Sequence, residues 1–199
     1  LSLYYAIQYP EIILSLTLRG ICLLRDIDVD WWFYSPRYHF PELWNVLTKD
    51  VPEQQTDNLL EFYANKLLDN SDYTKWNYNF IYYEMGMANI AKSKRDNSLN
   101  TLNRNLIYSM SRIACFYFLN CRPNILQSSS ILNSIPIYVV HGRYDMICSL
   151  DGAYLLKKYI PNLQLDIAET SGHADSEPEI EKLLLAATSR IERYNTPLY

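Results

Sequence analysis

The segment Ile135-Pro-Ile-Tyr-Val-Val-His-Gly-Arg-Tyr-Asp-Met-Ile-Cys148 points most directly to the fold class of this chain. It opens with a β-branched run that predicts a buried strand, and the polar loop after the strand carries Asp145. A helical pattern over 152–159, a second strand over 163–167 and a loop with Gly172-His173 follow. This order of strand, helix and strand is typical of a parallel sheet in an α/β protein.

The start and the end of the chain fit the same architecture. Residues 1–8 suit the end of a helix that Tyr9-Pro10 closes, because proline cannot continue a helix. The alternating stretch Ile12–Arg19 is rich in β-formers and predicts a buried strand before Gly20. Residues 178–194 place apolar side chains on one face of a final helix.

A long segment with mostly helical patterns separates these sheet-forming parts. Asp50-Val-Pro-Glu53 is typical of a helix start, and apolar residues at helical spacing follow it. The Asn-rich run 91–104 predicts an exposed loop, and residues 106–119 predict another helix. About a hundred residues are far too many for a simple crossover. We therefore predict an α/β fold with a mostly helical cap domain inserted into it.

The predicted domain boundaries follow from these patterns. Residues 1–27 and 134–199 form the sheet-bearing core, and residues 28–133 form the cap. The chain starts at Leu1 without an initiator methionine or a basic leader, which predicts a start in mid-domain. Its 199 residues are enough for one domain with a sizeable core or for a piece of a larger one.

Composition excludes several partners. The net charge of −4 gives no electrostatic reason to expect nucleic acid or an anionic membrane. No apolar run reaches the roughly 18 residues of a membrane span. The 18 tyrosines line either a core or an apolar pocket, and composition does not choose between the two.

The cysteines and histidines indicate a cytoplasmic protein without a metal. Four cysteines are widely spread without a C-x-x-C pair, and the three histidines do not stand at metal-ligand spacing from them. Reduced thiols in an intracellular compartment are the interpretation that fits this spacing.

Two residues follow the carboxyl ends of predicted parallel strands, where the functional groups of α/β proteins usually lie. Asp145 and His173 follow consecutive predicted strands, in the acid-then-histidine order of an α/β-hydrolase triad. Histidine would take a proton from a nucleophile, and the carboxylate would fix the histidine tautomer. The plainer alternatives stay open on spacing alone: Asp145 could cap a turn, and His173 could be an ordinary loop histidine.

Three neighbouring polar residues receive structural interpretations. His141 ends a predicted strand and has no acid at triad-like separation downstream, so we assign it a structural role. Asp175 and Glu177 are predicted to be acids near a helix N-terminus, where the helix dipole favours negative charge.

The motifs of this chain resemble those of the proline iminopeptidases, a family of α/β-hydrolases. Residues 1–25 look like the segment after the nucleophile elbow, with "YP-E" followed by "L-x-L-R-G-I-x-L-L-R". Residues 135–176 resemble the C-terminal signature "H-G-R-Y-D-x-x-C" with a later "G-H". Between them, Trp31-Trp32 and Ser111-Arg-Ile113 with Tyr117-Phe118 match landmarks of the cap. The chain thus resembles a C-terminal portion of such an enzyme.

The resemblance implies roles for named residues. Asp145 and His173 would be two members of a catalytic triad, and no cofactor would be needed. Glu84 would bind the free N-terminal imino group of a peptide substrate beginning with proline, with help from Arg19. The plainer alternatives stay open: Glu84 could be a solvated helix glutamate, and Arg19 could be a structural ion-pair partner. Trp32 and Phe118 would complete the substrate site, as aromatic cap residues; the aromatic run before Glu84 could hold the pyrrolidine ring.

Two departures from the family pattern leave other functions open. Ala114 stands where the family carries a second amine-binding glutamate, so strict specificity for proline is in doubt. The G-x-S-x-G elbow and the H-G-G-type oxyanion loop do not occur in these 199 residues. We expect the residues alone neither to fold well nor to hydrolyse peptides. The alternatives are another cap-bearing α/β-hydrolase, such as an esterase or epoxide hydrolase, and an inactive truncated relative.

Overall fold

The structure is a computed structural model that describes residues 1–69, 72–91 and 103–195. The chain divides into two compact units. The first unit combines Leu1–Leu23 with Pro123–Tyr199, and the second is Leu24–Arg122. The predicted loop over 91–104 lies almost entirely outside the described residues.

Helices dominate the described chain, and three short strands accompany them. In chain order the elements are α1 (Ser2–Gln8), β1 (Leu16–Arg19), α2 (Asp26–Tyr34), α3 (Pro41–Thr48), α4 (Leu59–Leu67), α5 (Lys75–Ala88), α6 (Arg104–Asn120), β2 (Ile137–Gly142), α7 (Leu150–Tyr159), β3 (Gln164–Ala168) and α8 (Pro178–Asn195). Short 3-10 turns lie at Pro10–Ile12, Ser35–Tyr38, Glu53–Gln55 and Ser129–Ser134.

The three strands form one parallel sheet in the order β1-β2-β3. Every residue of the central strand β2 is buried, as its β-branched composition predicts. Ile137 and Val139 point to a core shared with α1 and α7, whereas Val140 points to a second core with α8. Because alternate side chains of a strand face opposite sides, helices cover both faces of β2.

Two predicted boundaries are wrong. The strand predicted from Ile12 begins at Leu16, because Pro10 fixes its own φ and starts a 3-10 turn. The helix start predicted at Asp50–Glu53 is a 3-10 turn instead, and α4 begins only at Leu59. Thr56 closes that turn by donating both its N–H (3.2 Å) and its hydroxyl (2.7 Å) to the carbonyl oxygen of Glu53.

The position in the sequence where the chain returns from the second unit to the first also differs from the predicted one. It lies between Arg122 and Pro123 rather than after residue 133. Ile125 and Leu132 are buried in the same apolar core as α1 and β2, which assigns this stretch to the first unit. The role of the second unit as a cap stays a prediction.

An aromatic core holds the second unit together. Trp32 is 1% exposed, and its ring centroid lies 4.6 Å from that of Phe80 and 5.2 Å from that of Tyr83. The buried hydroxyl of Tyr83 donates to the carbonyl oxygen of Phe33 over 3.0 Å. Helices α5 and α6 pack together, and the buried amide of Asn77 donates to Ser111 Oγ over 2.9 Å. Several of the chain's many aromatic residues are therefore core residues here.

Among the described helices, none combines the length and the apolar character that crossing a membrane requires.

Candidate active site

Asp145 and His173 meet at the edge of the sheet where its strands end. Asp145 follows β2 and His173 follows β3, so parallel pairing of these strands brings both loops to one edge. The Nδ1 atom of His173 lies 2.8 Å from Oδ2 of Asp145. Asp145 is buried, whereas the side chain of His173 keeps 19% of its surface exposed. The predicted pair is thus within hydrogen-bond distance, with the histidine reaching solvent.

The Asp145 carboxylate has partners on both oxygens. Its Oδ1 accepts hydrogen bonds from the main-chain N–H groups of Ile147 (2.9 Å) and Cys148 (2.8 Å). Burial raises the pKa of Asp145, but the charge and hydrogen bond of His173, together with His141 and the Cys148 N–H, outweigh burial and lower it. The carboxylate therefore stays ionised at neutral pH, and its hydrogen bond fixes the proton of His173 on Nδ1.

That tautomer leaves the other ring nitrogen, Nε2 of His173, as the proton acceptor. Among the described residues it has no hydrogen-bond partner. An acceptor nitrogen on a partly exposed ring, backed by a buried carboxylate, is the arrangement that general-base catalysis needs.

Gly20 makes room for the imidazole. It follows β1 with φ +57°, a conformation that side chains other than glycine rarely adopt. A Cβ atom on Gly20 would lie 2.7 Å from Cε1 and 3.0 Å from Nδ1 of His173. It would also lie 3.5 Å from Oδ2 of Asp145. The loop after β1 therefore approaches the pair too closely for any side chain.

Gly142 allows a close approach of two backbone segments at the same edge of the sheet. A Cβ atom there would lie 1.9 Å from the carbonyl oxygen of Gly172 and 2.6 Å from that of Ser171. The loop carrying His173 is thus pressed against the end of β2. Main-chain bonds from Tyr144 N–H to Ser171 O (3.0 Å) and from Arg143 N–H to Ala168 O (2.9 Å) hold the two loops together.

Arg19, predicted to help bind the substrate, contacts the histidine loop. Its guanidinium donates a hydrogen bond to the main-chain carbonyl oxygen of His173. Arg19 is the last residue of β1, so this bond ties the first strand to the loop after the third. The predicted contact with a substrate amine stays a prediction.

His141 is buried, and its structural role stays a prediction. Asp145 stands only four residues further along the chain and is close in space, since Nε2 of His141 is 3.5 Å from Oδ2 of Asp145. Local sequence patterns predicted neither this contact nor the close approach of Gly20. The signal for each is a glycine or histidine at the carboxyl end of a strand, where functional loops gather.

A thiol pair lies beside the site. Cys22 and Cys148 are in no disulfide, and the hydrogen bond with Cys22 together with burial raises the pKa of Cys148. Three side chains here, those of Asp145, Cys148 and His173, each offer one ligand atom, and these atoms lie within 4.8 Å of one another. The three side chains are therefore close enough to share a metal ion. The Asp145 carboxylate is already bonded to His173 and two N–H groups, and this favours the histidine pair over metal ligation.

The remaining predicted substrate-binding residues belong to the second unit. Glu84 is half-buried on α5, and Phe118 is half-buried on α6. The Phe118 ring packs 5.3 Å from that of Trp32, which is a core residue. Trp32 Nε1 has no hydrogen-bond partner among the described residues. Ala114 also lies on α6, without any charge to offer an amine.

The family model of the α/β-hydrolase fold matches residues 1–179. This chain belongs to the α/β-hydrolase fold family. The predicted fold class is therefore confirmed, and the acid and histidine stand in the loops after consecutive strands of that fold.

Curated relatives of this α/β-hydrolase include several proline iminopeptidases. The enzyme of Xylella fastidiosa is 28% identical over 94% of this chain and 62% of its own length. The one from Arabidopsis thaliana is 26% identical over 96% of this chain and 53% of its own. A protein named "Probable proline iminopeptidase" from Leptolyngbya boryana is 28% identical over 98% of this chain and 63% of its own length. The predicted resemblance is confirmed, and the chain spans less than two thirds of the length of these relatives.

A solved structure also matches this α/β-hydrolase. Juvenile hormone epoxide hydrolase from the silkworm Bombyx mori aligns with 96% of this chain and 52% of its own, at 13% identity and a TM-score of 0.43. A likeness at this level carries no argument about fold or function.

Proposed function

We propose that the protein containing this chain is a serine aminopeptidase that releases N-terminal proline from peptides. The observation that carries the proposal is the 2.8 Å contact between Oδ2 of Asp145 and Nδ1 of His173. In a chain that resembles proline iminopeptidases, this contact supports assigning the two residues as acid and base of the triad. The nucleophilic serine would come from the elbow that such enzymes carry upstream of the matched region.

In the proposed reaction, His173 Nε2 takes the proton of the serine hydroxyl as the oxygen attacks the carbonyl carbon of the N-terminal residue. Asp145 stabilises the imidazolium that forms, because its carboxylate is ionised and buried beside the ring. His173 then returns the proton to the leaving amine, and water hydrolyses the acyl-enzyme in a second cycle of the same proton transfer.

Recognition of the substrate would rest on the second unit. Glu84 would pair with the cationic imino group of an N-terminal proline, and Phe118 would contact its ring. Ala114 supplies no second carboxylate, so we expect weaker discrimination for proline than two carboxylates would give. The proposed partners are peptides, and the proposed location is the cytoplasm, which four cysteines outside any disulfide support.

The test uses the protein expressed from its full open reading frame, including everything encoded upstream of Leu1. Turnover of a proline arylamide is compared with turnover of a simple aryl ester, for the wild type and for Asp145→Asn and His173→Gln. We expect preference for the arylamide, and a loss of kcat on the order of 10³–10⁴-fold in Asp145→Asn. Asp175→Asn is the matched control, since Asp175 is exposed and stands two residues from His173.

Each outcome separates the candidate functions. Ester turnover without arylamide turnover, still dependent on Asp145 and His173, would identify another cap-bearing α/β-hydrolase. Loss of neither activity in the variants would overturn the assignment of the pair. Absence of both activities from a well-folded wild type would favour an inactive relative.

A further inference from the structure

His141 lies behind Asp145 and is held at both ring nitrogens. Its side chain is fully buried near the end of β2. The main-chain N–H of Ile21, in the loop after β1, donates to Nδ1 over 3.2 Å. On the other side, Nε2 lies 2.9 Å from the carbonyl oxygen of Cys148. Because Nδ1 accepts a hydrogen bond, the ring proton must be on Nε2, which donates to Cys148.

The same ring nitrogen lies close to the acid. Nε2 of His141 lies 3.5 Å from Oδ2 of Asp145, the oxygen that bonds to His173. Cys148, whose carbonyl oxygen His141 holds, donates its own N–H to Oδ1 of Asp145. One buried ring thus touches the acid directly and also fixes the loop that supplies a main-chain donor to it.

The charge state of this ring suits such a role. Burial lowers the pKa of His141, although Asp145 and the Cys148 carbonyl oppose the change, and His173 and Arg19 lower it further. A protonated His141 would compete with His173 for the negative charge of Asp145. A neutral ring orients the carboxylate and leaves its charge available to the imidazolium that forms on His173.

We propose that His141 is a positioning residue, which sets the orientation of the Asp145 carboxylate toward His173 by fixing the loop from Asp145 to Cys148 and by placing a neutral N–H beside Oδ2. This inference rests on the proposed function only in treating Asp145 and His173 as the acid and base. It concerns their geometry, which can be observed whatever substrate the protein takes.

The test uses two conservative variants of the full-length protein. In His141→Gln the side-chain amide nitrogen replaces Nε2 and keeps the donor to Cys148 beside Asp145. In His141→Asn the amide oxygen replaces Nδ1 and keeps only the acceptor for Ile21. The readout is the downfield proton NMR signal of His173 Nδ1–H in its bond to Asp145, together with the ¹⁵N shifts of the ring. Val140→Ala is the matched control, because Val140 is a fully buried neighbour that packs toward α8.

We expect the His173 signal to persist in His141→Gln and to shift or broaden in His141→Asn, with kcat of His141→Asn down between about tenfold and a hundredfold and KM little changed. Val140→Ala should lose thermal stability and keep the signal. An unchanged signal in a folded His141→Asn protein would overturn the proposal, as would absence of the signal from the wild type. If no proline arylamide is turned over, the proposed function fails, yet the NMR comparison still decides the role of His141.

Discussion

Arg19 donates a hydrogen bond from its guanidinium to the main-chain carbonyl oxygen of His173, 154 residues away in the sequence. The bond joins the end of β1 to the loop that carries the proposed base. It anchors the backbone of His173, whereas Asp145 anchors the ring. Two separate contacts therefore determine where Nε2 of His173 lies.

Replacing Arg19 with alanine should misplace His173. We expect kcat on a proline arylamide to fall about ten- to a hundredfold with KM little changed, since a hydrogen bond from a charged donor contributes about 1.5–3 kcal/mol. Arg19→Lys should recover part of the loss. Steady-state kinetics of the full-length protein check this, with Arg143→Ala as control because Arg143 makes an exposed ion pair with Glu169. A rise in KM at constant kcat would instead assign Arg19 to substrate binding.

Gly20→Ala should damage the same site sterically. The added methyl group would meet the His173 ring at 2.7 Å in a backbone conformation that alanine disfavours, at a cost of roughly 1–2 kcal/mol from the backbone alone. We expect a lower melting temperature, and a kcat that falls because the ring must move. Gly86→Ala is the control: its methyl group would meet the flexible Leu43 side chain in the second unit. Equal kcat in both variants would contradict this account of Gly20.

The pH dependence of stability should report the neutral state of His141. Because burial lowers the pKa of His141, the unfolded chain binds a proton more readily than the folded one. The stability contributed by the neutral ring is complete above about pH 6.5 and is lost as pH falls below it, with a slope of up to about 1.4 kcal/mol per pH unit. Urea unfolding between pH 7.5 and 5 should show this loss for the wild type relative to His141→Gln.

The matched control for this titration is His39→Gln, because His39 is exposed. It should keep the pH dependence of the wild type. Parallel pH profiles for wild type and His141→Gln would show that the ring is not held neutral by the fold.

Ala114→Glu should improve recognition of an N-terminal amine. Ala114 lies on α6, which packs against the helix that carries Glu84. We expect KM for a proline arylamide to fall about two- to fivefold, the size of a partly exposed ion pair. Hydrolysis of a neutral aryl ester should not change, and Ala114→Gln, which adds bulk without charge, should match the wild type. Equal effects of Glu and Gln would mean that charge at this position does not reach the substrate.

Local patterns were enough to predict the elements that build the sheet. The β-branched run after Ile135 predicts a buried parallel strand, and the structure contains this strand as β2. Errors occur where one residue changes the backbone, as Pro10 does in shortening β1 from its N-terminal side. The proximity of Asp145 and His173 could be predicted from the sequence because parallel strands end at one edge of the sheet.

The contacts of Gly20 and His141 could not be read from local sequence. Both depend on the register in which β1 pairs with β2, where Arg19 is opposite Val140. That register is set by packing between segments far apart in the chain, and no short-range periodicity encodes it. The burial of Trp32 has a similar origin, since four aromatic rings from α2, α5 and α6 surround it.

The interruption of the first unit by the second has a consequence for synthesis on the ribosome. Ile21 and His141, which hydrogen-bond to each other, are 120 residues apart. At about 5–20 residues per second, roughly 6–24 seconds pass between their emergence. During that interval β1 has no β2 to pair with, whereas all of residues 24–122 have been made. The nascent chain therefore completes its inserted unit before Asp145 and His173 can meet, and the contact between this proposed acid and base is one of the last features to form.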